Sequence, residues 1–290
     1  MKTLTLYFSK IPLSKAQRTV ESHIKSFDKI PGEVIFLNLF PLRKIPAFVL
    51  KERFDLIIFH YTFLSLNYSD PEILIDYAKK VRKFKGLKIA FIEDDYVNSY
   101  NLCKFFKISS TKKIFTLFDE KEYKKVYPYE ISGVKEIYTV LPGYVSEKDI
   151  NFINKNKNLK FNKIDISYRS RKPYPWLGKH SFLKWKISEV FTDTKPKDLV
   201  TDISCDPKDQ INGYKWLKFL YNSRTVLGVE GGASIHDPEG KLKNEYEKLI
   251  REGLKISHDE YHRKYLNKFE GTLKLRNFTP RIFEAIICKS

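Results

Sequence analysis

Cysteine is scarce: Cys103, Cys205 and Cys288 stand far apart, with no C-x-x-C pair. An odd, scattered set excludes a disulfide framework and a zinc site, and it fits a reducing compartment. No apolar run approaches the roughly 18 residues that span a bilayer. The first eight residues alternate and lead into Lys10 and Pro12, without the h-region or cleavage site of a signal peptide. These absences predict a cytoplasmic protein, with peripheral contact to an anionic inner membrane left open. No internal repeat, low-complexity tract or nucleic-acid-binding motif is present. Acidic residues are outnumbered, 35 Asp+Glu against 53 Lys+Arg, for a formal charge of +18. Such an excess favours anionic partners, but the lysines are spread along the chain and do not choose among them.

What is present reads as globular. Hydrophobic residues make up 42% and aromatics 15% of 290 residues, ample for one large domain or two ordinary ones. In the first half, strand-like segments (4–8, 34–39, 54–59, 87–92, 114–117 and 136–140) alternate with helical ones. The run FDLIIF at 54–59 is of the fully buried type, and Asp70-Pro71 opens a helix through Phe84. This pattern predicts a parallel sheet covered on both faces. The polar stretch 151–162 makes a linker or surface helix. Beyond it the expected order is strand 164–168, helix 179–191, strand 199–203, helix 213–221 and strand 225–229. A Gly-rich turn follows, then a mostly solvated helix over 241–268, broken near Gly253. Thr279-Pro280 starts the last helix, 281–287. The expected division is a first domain at 1–155 and a second at 156–290. With about three strands, the second domain is expected to be incomplete.

Candidate chemistry falls at strand ends, where open α/β sheets bind ligands. Gly228 to Ser234 (GVEGGAS) follows a buried strand. Gly231 and Gly232 allow close backbone approach, while Glu230 and Ser234 add hydrogen-bonding groups; the plain alternative is a tight surface turn. Arg169 and Arg171, with Lys184 one turn into the next helix, form a cationic cradle suited to a diphosphate, or else a solvated basic loop. Arg281 opposes its helix dipole and so suits an anion, and Glu284 lies one turn on. In the first half, His60 ends one strand, and Glu93-Asp94-Asp95 follows another. Such carboxylates bind hydroxyls, act as a base or hold a cation, whereas the rival roles are a helix-terminal charge cluster and a core histidine. His258 and His262 do not form H-E-x-x-H, and they are read as solvated helix rather than metal ligands. Lys104-Phe105-Phe106-Lys107 and Lys184-Trp185-Lys186 interleave base and aromatic, which core packing explains better than nucleic acid.

In their order along the chain, FDLIIFHY (54–61), KIAFIEDDY (88–96), YTVLPGY (138–144), IDISYRSRKPYPWLGKHSFLKWKI (164–187), TVLGVEGGASIHDPEGKL (225–242) and NFTPRIFEAI (277–286) resemble a bacterial family of GT-B glycosyltransferases. That family is related to the group-1 (family 4) enzymes of surface polysaccharide assembly. The resemblance implies two Rossmann-like domains. It implies transfer of a sugar from a nucleotide-sugar donor to a glycan or lipid-linked acceptor, with retention and without a tightly bound metal or other cofactor. Arg169, Arg171 and Lys184 would neutralise the donor diphosphate, residues 230–234 would line its pocket, and Glu284 would hold the ribose. Three features depart from the family pattern. Arg276 replaces the first glutamate of E-x7-E, Glu93-Asp94 stands where relatives carry histidine, and Ser9-Lys10-Ile11-Pro12 replaces a glycine-rich loop. The family's final strands would follow Ser290, so weak or no activity is expected of this chain. The alternatives are a non-catalytic nucleotide-sugar-binding remnant and a basic nucleic-acid-binding protein.

Overall fold

The computed structural model describes residues 1–40, 42, 44–156, 163–194 and 198–290. In the first half six strands, β1 (Lys2–Tyr7), β2 (Glu33–Asn38), β3 (Leu56–Phe59), β4 (Leu87–Phe91), β5 (Lys113–Thr116) and β6 (Glu136–Thr139), form one parallel sheet in the order β2-β1-β3-β4-β5-β6. The order reverses between β1 and β3, the switch point at which doubly wound sheets open a crevice. Leu4, Leu6, Ile57, Ile58 and Phe59 are wholly buried, as parallel strands covered on both faces require. Register lines up Phe91, Phe115 and Tyr138 on neighbouring strands, and their rings stack at 4.7 and 5.4 Å.

Helices enclose this sheet: α1 (Arg18–Ser26), α2 (Pro71–Val81) and α3 (Ser99–Ser109). The Asp70 side chain caps α2 by accepting from Ile73 N at 3.1 Å, with Pro71 at the first helical position. Phe105 and Phe106 of α3 are fully buried while Lys104 and Lys107 are exposed, so core packing accounts for that interleaving. Next, α4 (Glu147–Lys155) occupies the first part of the expected linker; residues 157–162 lie outside the described residues.

The second half holds a parallel sheet of β7 (Ile164–Arg169), β8 (Thr201–Ser204) and β9 (Ser223–Val226), in the order β8-β7-β9. Its helices are α5 (Lys179–Thr194), α6 (Tyr214–Tyr221), α7 (Lys241–Arg251) and α8 (Arg281–Cys288). The architecture is α/β with two parallel sheets, consistent with Rossmann-like domains. No helix among the described residues is long and apolar enough to cross a membrane.

Two expectations are corrected. The Gly-rich segment is not a loop throughout: β10 (Gly231–Ala233) pairs antiparallel with β11 (Leu275–Asn277). His258 and His262 are not solvated: His262 is buried with Tyr261 and Leu266, and His258 packs on Phe182 and Trp185, although much of the stretch after Gly253 is exposed. Hydrophobic spacing over those residues is irregular because the chain passes through a π-helical turn at His262–Leu266.

The halves are joined by specific contacts. Val97 bridges Asp237, Asn98 N donates to Asp237 O at 2.9 Å, and Asp237 N returns a bond to Tyr96 O at 3.0 Å. On the other flank Arg18 of α1 is buried between Glu21 (2.6 Å) and Asp149 of α4 (2.5 Å), its guanidinium over the Tyr214 ring of α6. Ile153 of α4 shares a small core with Leu217, Leu220 and Cys288, so α4 belongs physically to the second sheet's helices.

Candidate functional site

The join at 96–98 and 237 holds the end of β4 against the second half. Glu93 and Asp94 follow β4 directly. Around them lie Lys184 of α5, Arg171 beyond β7 and Arg281 at the start of α8. Lys184 feels Asp94, Arg171, Arg281 and Glu93 electrostatically, and burial lowers its pKa from the ordinary lysine value. Lys184 therefore stands within electrostatic reach of two acids from the first half and two arginines from the second.

The backbone of β10 closes one side of this cluster. A Cβ added at Gly231 would lie 3.4 Å from Lys184 Nζ and from Thr279 Cγ2, so the main chain itself passes along the lysine. Gly232 has φ +130°, and a Cβ there would meet Leu275 O at 2.0 Å, which makes glycine a condition of the β10–β11 pairing.

Glu93 is half-buried by surface area but densely surrounded by protein. Burial and the neighbouring Asp94 raise its pKa to about 8, with Lys184 acting in the opposite sense. Asp94 is exposed and takes a left-handed backbone conformation. Two tyrosines hold it there: Tyr68 Oη donates to its carbonyl and Tyr96 Oη to its Oδ1. Asp95 points the other way, into the core. Its Oδ2 accepts from Thr116 Oγ1 (2.9 Å) and the Tyr127 hydroxyl, Oδ1 is buried without a partner, and burial raises the pKa to about 7. Asp95 is a neutral core acid at mildly acidic pH, separate from the pair before it.

The remaining candidates sort by what already occupies them. Lys184, Arg171 and Glu93 make no side-chain hydrogen bond or ion pair among the described residues, which leaves them for a ligand. Arg169 is committed. Its guanidinium bonds the carbonyls of Asp209, Tyr168 and Asp202 and the Asp202 carboxylate (2.6 Å), and it stacks on Phe219 at 4.6 Å. It braces β7 against β8. Arg281 is partly committed: it bonds Arg169 O and Leu227 O and stacks on Tyr168 at 4.6 Å, while its Nε is buried without a partner. Glu284 accepts from Trp216 Nε1 at 2.6 Å, and burial raises its pKa. Ser234 Oγ accepts from His180 N at the start of α5, beside Glu270, which accepts from Lys179 N. Those two side chains cap α5 and leave Ser234 little for a ligand. Glu230 is exposed, 3.9 Å from His180 Nε2.

His60 is corrected from candidate catalyst to core residue. It has no accessible surface. Its Nδ1 accepts from Thr62 N at 3.1 Å, capping the turn Tyr61–Leu64, so Nε2 carries the proton and donates to His23 Nδ1 at 2.9 Å. Burial drives the His23 pKa down to about 4 and that of His60 well below the usual value, so both rings are neutral. His262, also buried, pairs with Glu270 at 2.6 Å. Among the described residues no three His, Cys, Asp or Glu side chains cluster to hold a metal ion.

Tyr68, Tyr96 and Asn277 belong to this region and were not singled out from the sequence; Thr279, also here, was read only as a helix start. Only Tyr96, in the run EDDY, carried any local signal. No family model, curated protein or solved structure matches the chain.

Proposed function

We propose that the chain is a glycosyltransferase that moves a sugar from a nucleotide-sugar donor to a glycan or lipid-linked acceptor, on two Rossmann-like domains of the GT-B kind. One observation carries this reading: Lys184, uncommitted, lies within electrostatic reach of Arg171, also uncommitted, of Arg281, and of Glu93 and Asp94 beyond the carboxyl end of a parallel sheet. The order of the segments that resemble the GT-B family supports it.

The chemistry follows from those charges. Sugar transfer places growing negative charge on the departing nucleotide diphosphate, and fixed cations stabilise it without reorganising. Lys184 and Arg171 take that role, and Arg281, pinned to two carbonyls, completes the field. With a pKa near 8 Glu93 keeps its proton at neutral pH, so it adds no repulsion towards a diphosphate and offers a hydroxyl donor. Asp94, exposed and rigidly held, is placed to accept the hydrogen of an acceptor hydroxyl.

Thermal-shift measurements with UDP-, GDP-, ADP- and CMP-sugars test the reading. One donor class should stabilise the chain by about 2.7 kcal/mol at a hundredfold excess over Kd, and Lys184→Ala and Arg171→Ala should lose that gain. A flat response to all four donors would sink the assignment.

A further inference from the structure

We propose that the cavity between the end of β6 and β11 is a sugar subsite selecting a carboxylate-bearing pyranose of the uronic-acid type. The inference takes its ligand class from the glycosyl-transfer reading, and its choice of an acidic sugar from the cavity itself. The cavity is half open and offers about 250 Å³. That is below the usual range for drug-sized ligands and suits a single substituted ring.

Its lining is divided in character. Val140, Leu141 and Phe278 supply apolar walls, and Leu141 and Phe278 remain 66% and 62% exposed. An aromatic and an aliphatic wall match the C–H faces of a pyranose. Glu230, Arg276 and Asn277 supply the polar part. Arg276 is unengaged: among the described residues its side chain makes no hydrogen bond or ion pair, whereas Arg18, Arg169 and Arg281 are all tied to protein oxygens. The side-chain amide nitrogen of Asn277 is buried with no hydrogen-bond partner. An unpaired buried donor is unfavourable unless something accepts from it.

A free guanidinium pairs with a planar carboxylate through two parallel bonds, and the orphan amide adds a donor for a ring or hydroxyl oxygen. Glu230 supplies the acceptor that sugar hydroxyls need. A neutral hexose would offer Arg276, which is exposed, hydrogen bonds without the charge pair a carboxylate forms.

The test compares methyl β-D-glucuronide with methyl β-D-glucoside by saturation-transfer NMR on the full chain, with acetate as competitor. The glucuronide should bind about tenfold more tightly, the scale of one charge-assisted pair. Arg276→Gln should erase that preference, Phe278→Ala should weaken both sugars, and Lys274→Gln should change neither. Thermal melting verifies that each variant folds. Equal affinity for the two sugars, absence of binding, displacement by equimolar acetate, or a preference surviving Arg276→Gln would each overturn the proposal. Nucleoside diphosphate binding is measured in parallel. If it persists without a glucuronide preference, the subsite alone fails; if it is absent while the preference holds, the transferase reading fails and the sugar site stands.

Discussion

The Tyr96 hydroxyl donates to Asp94 Oδ1 at 2.8 Å, and it does so to an aspartate whose backbone sits at φ +62°. A non-glycine residue in that region costs about 1–2 kcal/mol, so the surroundings must hold it there. Tyr96 is buried and Tyr68 grips the carbonyl of the same residue. Tyr96→Phe should lower stability by about 1 kcal/mol in urea unfolding and reduce kcat while the donor KM stays unchanged. Asp94→Gly should retain or gain stability through relief of the backbone and abolish transfer. A fully active Asp94→Gly would remove Asp94 from the chemistry.

Arg169 and Lys184 should separate stability from binding. Arg169→Ala strips hydrogen bonds from two strands and a cation stacked on Phe219, and should cost about 2 kcal/mol without a selective loss of donor affinity. Lys184→Ala removes a desolvated, unpaired cation. It should leave stability unchanged or improved while donor binding falls. Isothermal titration and chemical denaturation on both variants check this, and the opposite pattern would mean their roles are exchanged.

The buried acids and a buried histidine should make opposite contributions to the pH dependence of stability. Glu93 and Asp95 have folded pKa values raised from 4.5 to about 8 and from 3.8 to about 7. Over those ranges the folded chain binds protons that the unfolded chain has lost, so stability declines as pH rises through them. Glu93→Gln and Asp95→Asn cannot ionise and should each weaken this decline. His23, lowered from 6.5 to about 4, works in the other direction. The unfolded chain takes up the proton first, so this group's contribution is lost as pH falls from 6.5 towards 4, partly offsetting the acids there, and His23→Gln should remove that offset and steepen the decline with rising pH. Unfolding free energies from pH 4 to 9 give the slopes.

Gly232→Ala places a methyl 2.0 Å from Leu275 O at a positive φ. The β10–β11 pair cannot close around it, and a loss of about 2–4 kcal/mol is expected. Since β10 runs beside Lys184, donor binding should fall as well. An unchanged melting temperature would show that the pairing does not matter to the fold.

Much of the fold was readable locally. The buried run at 54–59, the Asp70-Pro71 start of α2 and the alternation through 140 are set by hydrophobic period and cap chemistry, which act within a few residues. The placing of Glu93, Asp94 and Arg171 just beyond strand ends, and of Lys184 on the helix that follows, was readable for the same reason. The pairing of β10 was not, because its partner lies more than 40 residues later in the chain. The burial of His262 was not either, since the turn that carries it breaks the helical period.

The sequence alone therefore determined the elements of the parallel sheets and the candidate charged groups, because spacing and capping are local properties of a chain. Which of those groups are free was decided only by the tertiary structure. Arg169 and Arg171 are two residues apart and chemically identical, yet Asp202 engages the first and nothing among the described residues engages the second. His60 looked like a site residue until His23, 37 positions earlier, closed on it. A side chain becomes available to a ligand when its distant neighbours leave it unsatisfied, and long-range packing alone brings those neighbours near or keeps them away.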